Sequence, residues 1–556
     1  MRKRRLNLLQ KEWVILNSNP NPEEDVILSI LKNRNIKNPV HFLKPKPSDF
    51  LPYTDILNIE IAAEKVLKAV KENKRIHIFG DIDVDGLMSM VQALRYLSNF
   101  TGNLTYSLNE KKKHGLEHQD LESYIGQYDM VIAVDSSSED YKSQKFLSEN
   151  NIEVIVIDHH DMDKEDPKYA TILNCNLGSY LNRKLSGSAM VFKFIKYLDK
   201  LQGTEFAEEY WDLAATGLIG DMMPIGEENK ENRYICTKGF SLLNNIALKE
   251  IIGNYTFNGT GISFSIAPLV NAAMRLNRSG IAAKLFLQDD KKACKKLIKE
   301  LQELKEIQNI QKDILVTKLN KVIEDNKLND KKVIGLMVED NTSDDMADII
   351  GLSANVLAAQ YGKIFIIVHK TDKPGLLRGS CRCVGIENFR NIVNQSGLVT
   401  FAQGHQPAFG IGLYESNWEK LIIDLNVAME DIELKVVSSA DIILTPDNLT
   451  NKLIKKIEYV NMISGMGFKP ISVVIENLEP DKVSTMKEGI HSKFEAENME
   501  FIQWRSDLAN RLYCDKGIYK TLNVIGVPQI GNFMGRKTRQ LIVSDSIIES
   551  HLEFFR

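Results

Sequence analysis

The residues best equipped for chemistry are carboxylates and imidazoles crowded into four short stretches. Between Gly80 and Gly86 the chain reads Gly-Asp-Ile-Asp-Val-Asp-Gly, which puts Asp81, Asp83 and Asp85 at alternate positions. Asp135 closes the apolar run Val131–Val134, Asp158-His159-His160 closes Val154–Ile157, and Gly220-Asp221 precedes Met222-Met223-Pro224. Carboxylates brought close together repel, and some take up a proton unless cations sit between them. Two divalent ions about 3.5–4 Å apart relieve that repulsion and can hold a water for attack on phosphorus. Oxygen-rich ligation suits Mg²⁺ or Mn²⁺, and added imidazole shifts the preference toward Mn²⁺. No thiolate accompanies the group, which argues against zinc.

Each stretch alone has a plainer meaning. The Asp-rich string could be part of a calcium loop, but the Glu that should close such a loop would stand at position 92, where the residue is Gln92. A lone Asp after a strand is often a turn former or helix cap. A His pair is often only hydrogen-bonded, and Asp221 could simply end a helix. Their combination on successive strand ends is what favours a two-metal phosphodiesterase.

For these residues to meet, the elements before them must align. Arg75–Phe79, Leu104–Leu108, Met130–Val134 and Val154–Ile157 are short apolar runs bounded by polar residues, and each reads as a strand. Leu87–Leu97, Ala189–Leu198 and Leu213–Ile219 carry helical apolar spacing. Such alternation predicts a mostly parallel sheet covered by helices, where ligands bind at the carboxyl ends of strands. The stretch 289–327 lacks Gly and Pro and predicts one long helix, its lysines read as a solvated face. Beyond it, Val333–Val338 and Lys363–Val368 read as strands with helix Ala347–Gln360 between them. From about Ile432, strand-like runs at Ile471–Ile475, Leu522–Val527 and Gln540–Val543 suggest a β-rich domain of OB type. The expected organisation is an N-terminal segment 1–50, an α/β catalytic domain 51–288, a connecting helix 289–327, a smaller α/β lobe 328–430 and an OB-like domain 431–556.

Composition bounds the rest. A chain of 556 residues is too long for one core, and 43% apolar with 26% charged residues is ordinary for a soluble globular protein. A net charge of −4 means that any nucleic acid must be held in local grooves. The six cysteines form no Cys-x-x-Cys pair, so neither a zinc site nor a disulfide framework is expected, and scattered thiols fit a reducing cytoplasm. The basic start Met1–Arg5 is not followed by the apolar run of a signal peptide and reads as a solvated tail, and no stretch suits a membrane span.

The order of these motifs resembles the DHH phosphoesterase superfamily, whose name stands here as Asp158-His159-His160. Further segments resemble its RecJ branch of single-strand exonucleases. Ser186-Gly187-Ser188-Ala189 looks like that branch's SGxG helix start, and Ala267-Pro268 through Asn271 to Arg275-Leu276 like its APRLNAAGRL segment. Gly379-Ser380-Cys381-Arg382 looks like its GSxR strand, and Gln403-Gly404-His405 with Ala408 and Gly410 like its GGHxxAxG signature. The resemblance implies Asp81, Asp83, Asp85, Asp135, His159 and Asp221 as ligands of two divalent cations, with Asp135 bridging. Asp83, Asp135, His159, His160 and Asp221 would carry the chemistry, with His160 facing the scissile phosphate.

It also implies that Ser380 and Arg382 grip the 5′-terminal phosphate, that His405 reaches a substrate phosphate, and that Asn271 and Arg275 line the strand path. Lys111-Lys112-Lys113, where the branch has a phosphate-binding Arg, are either a backbone clamp or a charged loop. The implied activity is 5′-to-3′ hydrolysis of single-stranded DNA to 5′-mononucleotides, with RNA left open. The expected enzyme is cytoplasmic and monomeric, with a single-strand-binding protein or helicase as candidate partner, and repair, recombination or phage replication are all open as its setting. Phe401, Phe409 and Trp504 are candidate base-stacking residues, although core packing is the preferred reading of each.

Departures from the branch pattern are Leu269 for an Arg, Gln403 for a Gly, Ser136-Ser137 for Cys-Gly, and 341–345 in place of a WHPG-like segment. Two other readings remain: a phosphodiesterase for short oligonucleotides or cyclic dinucleotides, and a DNA-binding scaffold without catalysis.

Overall fold

The computed structural model describes residues 11–17, 25–109, 114–162, 168–338, 344–512, 518–533 and 535–552. The chain forms two compact units, Ile15–Leu301 with Ser439–Arg556, and Gln302–Ser438 with the stretch ending at Val14. After β1 (Lys11–Asn17), the strands β2 (Ile76–Gly80), β3 (Leu104–Leu108), β4 (Met130–Val134), β5 (Glu153–Asp158) and β6 (Thr171–Asn174) make an all-parallel sheet. Its order is β3-β2-β4-β5-β6. Every residue of β2 and β4 is buried, as the unbroken apolar runs require of a sheet covered on both faces. Chain order reverses at β2, which has β3 on one side and β4 on the other, and a crevice opens at such a point.

The helix Val84–Leu97 leaves β2 directly. Asp83 caps it by accepting the N–H of Gly86 at 2.9 Å, and Asp85 sits in its first turn, where the helix dipole favours a negative charge. Its residues are buried around most of the circumference because Gly187–Gln202 and Trp211–Gly220 pack against it. The mostly parallel sheet covered by helices that the apolar pattern predicted is therefore present.

In the second unit, β7 (Val333–Val338), β8 (Ile364–Lys370), β9 (Leu376–Arg382), β10 (Phe401–His405) and β11 (Ala408–Tyr414) follow the order β10-β11-β9-β8-β7. Only β7 and β8 are parallel. One face buries Cys381, Phe389, Phe409 and Ile411 in a core. On the other face Phe365 and Ile367 pack with residues of helices Asp344–Tyr361 and Lys291–Asp325. The latter helix runs unbroken for 35 residues, as a stretch without Gly or Pro implied.

The C-terminal region is β-rich, as expected. The strands β12 (Val436–Ile443), β13 (Val473–Leu478), β14 (Lys482–Met486), β15 (His491–Ala496), β16 (Met499–Gln503), β17 (Ile518–Phe533) and β18 (Arg536–Leu552) join β1 in an eight-stranded sheet. Its order is β1-β12-β13-β17-β18-β16-β15-β14, and the long antiparallel pair β17–β18 is its spine. Helix Val26–Asn33 and the short helix Pro39–Leu43 bury Ile27, Ile30, Leu31 and Phe42 in one core with Ile454, Ile457 and Phe501. Sequence-distant apolar faces thus complete one another, a pairing that no local pattern displays. Among the described residues, no helix is long and apolar enough to cross a membrane.

Candidate metal centre and substrate face

Parallel register brings the acidic residues to one edge of the sheet. Gly80 pairs with Val134 and Val134 with Ile157, so the chain turns out of β2, β4 and β5 at the same level. Asp135 leaves β4 with a positive φ of 62°, a region that costs a non-glycine residue energy, while its N–H donates to the Ile157 carbonyl at 2.8 Å. Helix Trp211–Gly220 delivers Asp221 as its C-terminal cap.

His159 lies at the centre. Its Nε2 is 3.2 Å from Asp135 Oδ1, 3.5 Å from Asp221 Oδ2 and 3.9 Å from Asp85 Oδ2. The helix start Ser186–Ala189 has a defined task, because Asp85 accepts the N–H groups of Gly187 at 2.6 Å and Ser188 at 3.1 Å. Two glycines make room. A Cβ at position 187 would stand 2.3 Å from Asp135 Oδ1, and one at position 217 would stand 2.2 Å from Asp85 Oδ1.

Asp81 and Asp83 stand differently. Asp81 is bound by His114 Nδ1 at 2.6 Å and accepts from Asn109 Nδ2 at 3.2 Å, and Asp83 caps its helix. Asp158 is a support. It holds His160 Nδ1 at 2.7 Å and accepts the N–H groups of His159 and Ser138. Asn174 and Asn176 fasten the same turn through the His160 and His159 carbonyls. Sequence reasoning missed the supporting roles of His114, Asn109, Asp158, Asn174 and Asn176. Only the polar character of the strand-end loops hinted at them.

The electrostatics are those of a site built for cations. Burial, and then repulsion from Asp85 and its neighbours, pushes Asp83 up to about 6 and Asp221 up to about 8. The same causes raise Asp135 well above the ordinary carboxyl value. Its buried Oδ1 lies beside His159 yet accepts no hydrogen bond. Burial works to raise Asp158, but the hydrogen bond from His160 overcomes it and holds that carboxyl low. The pair in turn holds His160 up, to about 10, against its own burial. Oxygen donors that repel one another, one of them unbonded, around a single imidazole fit hard divalent cations. Asp85, His159 and Asp221 form one such group, and Asp135, Asp158, His159 and His160 another.

In the same unit, Asn271 and Arg275 are half-buried and one turn apart on helix Ala267–Arg275. Lys111, Lys112 and Lys113 lie outside the described residues, as do 341–343.

The second unit carries Ser380, Arg382 and His405, and register explains their common face. Arg382 is opposite Ala408, which is opposite His405. Ser380 is opposite Gly410, which faces Gln403, and Arg378 is opposite Gly412, which faces Phe401. Directly paired residues project to the same side of a sheet. The result is a trough floored by Gly412, Gly410 and Ala408. Arg378, Ser380 and Arg382 form one wall, and Phe401, Gln403 and His405 form the other. Arg378 stands 5.8 Å from the Phe401 ring centroid, a pairing across the trough that sequence did not show.

The Arg382 guanidinium donates to the Cys381 carbonyl at 2.7 Å and has no carboxylate partner among the described residues. His405 is exposed on a hairpin tied down by Arg390, which bonds the Gly404 carbonyl, and by Gln406 with Asn391. Of the three candidate stacking rings, Phe409 is core, only 2% exposed, because β11 turns its odd-numbered positions into the apolar layer. Phe401 is half-buried in the trough, and Trp504 is 52% exposed against His491.

Residues 75–218 match the model of the DHH family, N-terminal domain. YorK of Bacillus subtilis (strain 168), an SPbeta prophage-derived protein provisionally named a single-strand DNA-specific exonuclease, is 26% identical over 556 aligned positions. That match covers 93% of this chain and 95% of YorK. The single-stranded-DNA-specific exonuclease RecJ of the same organism is 24% identical, with 91% of this chain and 65% of that protein covered. The fold is that of RecJ from Thermus thermophilus in complex with Mn²⁺, at a TM-score of 0.77 and 20% identity, covering 98% of this chain and 80% of that one. Residues 75–218 thus resemble the DHH N-terminal domain, and the chain over most of its length is similar to RecJ proteins, at 26% identity or less.

Proposed function

We propose that the chain is a metal-dependent exonuclease that hydrolyses single-stranded DNA from its 5′ end to 5′-mononucleotides. The observation that carries the reading is the gathering of Asp85, Asp135 and Asp221 around His159, with a buried Asp135 oxygen left unbonded. Two divalent cations, Mn²⁺ or Mg²⁺, held by Asp81, Asp83, Asp85, Asp135, His159 and Asp221, would supply an activated water and neutralise charge at phosphorus. The similarity to proteins named single-strand exonucleases, and to RecJ structures holding Mn²⁺ and Mg²⁺, supports the assignment.

The chain's own residues divide the remaining work. His160, fixed through Nδ1 by Asp158, presents its other nitrogen to a phosphate oxygen and can donate a proton there. Asp83 and Asp135 orient the attacking oxygen. Ser380 and Arg382 grip the terminal phosphate, which suits the bidentate fork of Arg, and His405 meets the next one. Phe401 offers a ring to a base, and Asn271, Arg275 and the Lys111–Lys113 segment attend the backbone. The glycine-floored trough takes a single strand laid flat.

The test is timed digestion of 5′- and 3′-labelled DNA and RNA strands beside a dinucleotide, with Mn²⁺, Mg²⁺ or chelator. Release of 5′-mononucleotides from the 5′ end of DNA, lost in chelator and in Asp135→Ala, is the expected result. Cleavage of the dinucleotide alone would refute the reading, as would activity that survives in Asp135→Ala.

A further inference from the structure

A cavity of about 360 Å³ opens beside the N-terminal helices, lined by Lys37, His41, Phe42, Lys230 and Arg233 among others. Arg233 forms part of its wall although the residue is only 2% exposed. Its guanidinium is packed at 3.5 Å over the Phe42 ring. Nε donates to the Phe42 carbonyl at 2.7 Å, and Nη1 to the carbonyls of Ile463 at 3.1 Å and Ile225 at 3.3 Å. No carboxylate pairs with it among the described residues, and Nη2 has no hydrogen-bond partner there. A buried cation without a counter-ion is costly, and burial drags this guanidinium down to about 9.

The carboxylates around the cavity are mostly engaged. Glu227 accepts the N–H groups of Lys37 and Asn38 at 2.9 Å each, and Asp49 holds His41 at 2.7 Å and the Lys46 N–H at 2.7 Å. Glu228 stands exposed at the rim. Lys37 and Lys230 are exposed and lie within the field of Glu227, whose carboxyl they help to hold down, yet among the described residues no ion pair or side-chain hydrogen bond engages either. Three cationic side chains with a free guanidinium nitrogen suit a dianion better than a monocarboxylate. Pro45 and an edge of Phe42 add apolar lining, and the volume falls in the range of small-ligand sites.

We propose that this cavity binds a small organic phosphomonoester, of the size of a mononucleotide, with its phosphate on Arg233 Nη2 between Lys37 and Lys230. The site is separate from the acidic cluster but shares its chain. The connection 221–229 begins at Asp221, has its Pro224 and Ile225 carbonyls held by Asn232 and Arg233, and ends beside the cavity. Occupancy therefore bears on the segment that presents Asp221. The inference does not depend on the nuclease reading, because binding is measured without turnover.

The experiment is calorimetric titration, in chelator, of the full chain carrying Arg382→Ala throughout, which removes the 5′-phosphate grip proposed for β9, with 2′-deoxyadenosine 5′-monophosphate, 2′-deoxyadenosine or inorganic phosphate. The expected result is one saturable site for the monophosphate, with the nucleoside and inorganic phosphate each at least about tenfold weaker. The double variant Lys37→Glu, Lys230→Glu, altered only at exposed positions, should weaken the monophosphate by about tenfold or more and keep the melting temperature of the Arg382→Ala chain. Asp135→Asn should bind it as the Arg382→Ala chain does. Undetectable binding at millimolar ligand, equal binding of the nucleoside, an unchanged affinity in the double variant, or a loss confined to Asp135→Asn would each overturn the proposal. Preference for inorganic phosphate over the nucleotide would overturn its organic part.

Discussion

The acidic cluster and the trough on β9–β11 are built by opposite means. The cluster sets charges of one sign in a buried place and leaves them in conflict, with Asp135 at a positive φ, Gly187 close against an Asp135 oxygen and Gly217 against an Asp85 oxygen. The trough spreads single polar side chains over an antiparallel face and separates them with small residues. Conflict in the first is a reservoir for binding something absent from the chain. Open space in the second is shape for something long and thin. One region should therefore be intolerant of ångström-scale change and the other tolerant of it.

The largest expected effect is at Asp135. Asp135→Asn should lower single-strand hydrolysis in Mn²⁺ by about a thousandfold, ~4 kcal/mol of barrier. In chelator the same variant should melt higher than the wild type, since it removes a charge from a repelling set. A lower melting temperature in chelator would show that the cluster is not in conflict.

Next comes a paired glycine test. Gly187→Ala drives a methyl group against Asp135 and should reduce turnover about a hundredfold. Gly410→Ala adds the same methyl where the nearest atom is 3.8 Å away, so kcat should stay within about twofold while KM for the strand lying on that floor rises several-fold. Equal losses at both positions would erase the contrast.

Arg382→Ala should then remove about tenfold or more of the preference for 5′-phosphate over 5′-hydroxyl strands, ~1.5–3 kcal/mol for a hydrogen bond to a charged group. Turnover on 5′-hydroxyl strands should stay near the wild-type value. Phe401→Ala should raise KM several-fold, on the order of 1 kcal/mol for one stacked base, with kcat unchanged.

The subtlest effect is a pH slope. In chelator the folded-state values of Asp83, Asp135 and Asp221 lie above the ordinary 3.8. The folded chain then holds protons that the unfolded chain has released. That contribution is fully present below about pH 4 and is lost as pH rises through about 6 and about 8. Melting temperature in chelator should fall across this window relative to Asp135→Asn, and saturating Mn²⁺ should flatten the difference because bound metal displaces the protons.

Much of this was legible beforehand where the signal is local. Strands β2, β4 and β5 lie within a residue of the apolar runs that announce them, because a parallel strand buried on both faces is largely apolar. The alternation of Ser380 and Arg382 already put them on one face. The partner wall of the trough was not legible, since Phe401 and His405 meet that face only through the register of two hairpins. Phe409, for which core packing was the preferred reading, is core. At the C-terminus only parts of β13, β17 and β18 were foreseen and β12, β14, β15 and β16 were not, and the union of the sheet with β1 and the helices at 26–43 was hidden because that contact joins stretches at opposite ends of the chain.

By itself, then, the sequence determined which residues could bind hard cations and that strand ends would carry them, because side-chain chemistry and apolar periodicity are local properties. Tertiary structure decided how the carboxylates divide their labour. Asp85, Asp135 and Asp221 were drawn around His159, Asp81 was tied to His114, and Asp158 was turned into the support of His160. Those assignments depend on distances across parallel strands and on helix ends arriving from elsewhere in the chain, and an Asp has the same formula whether it meets a histidine, an amide or an empty space.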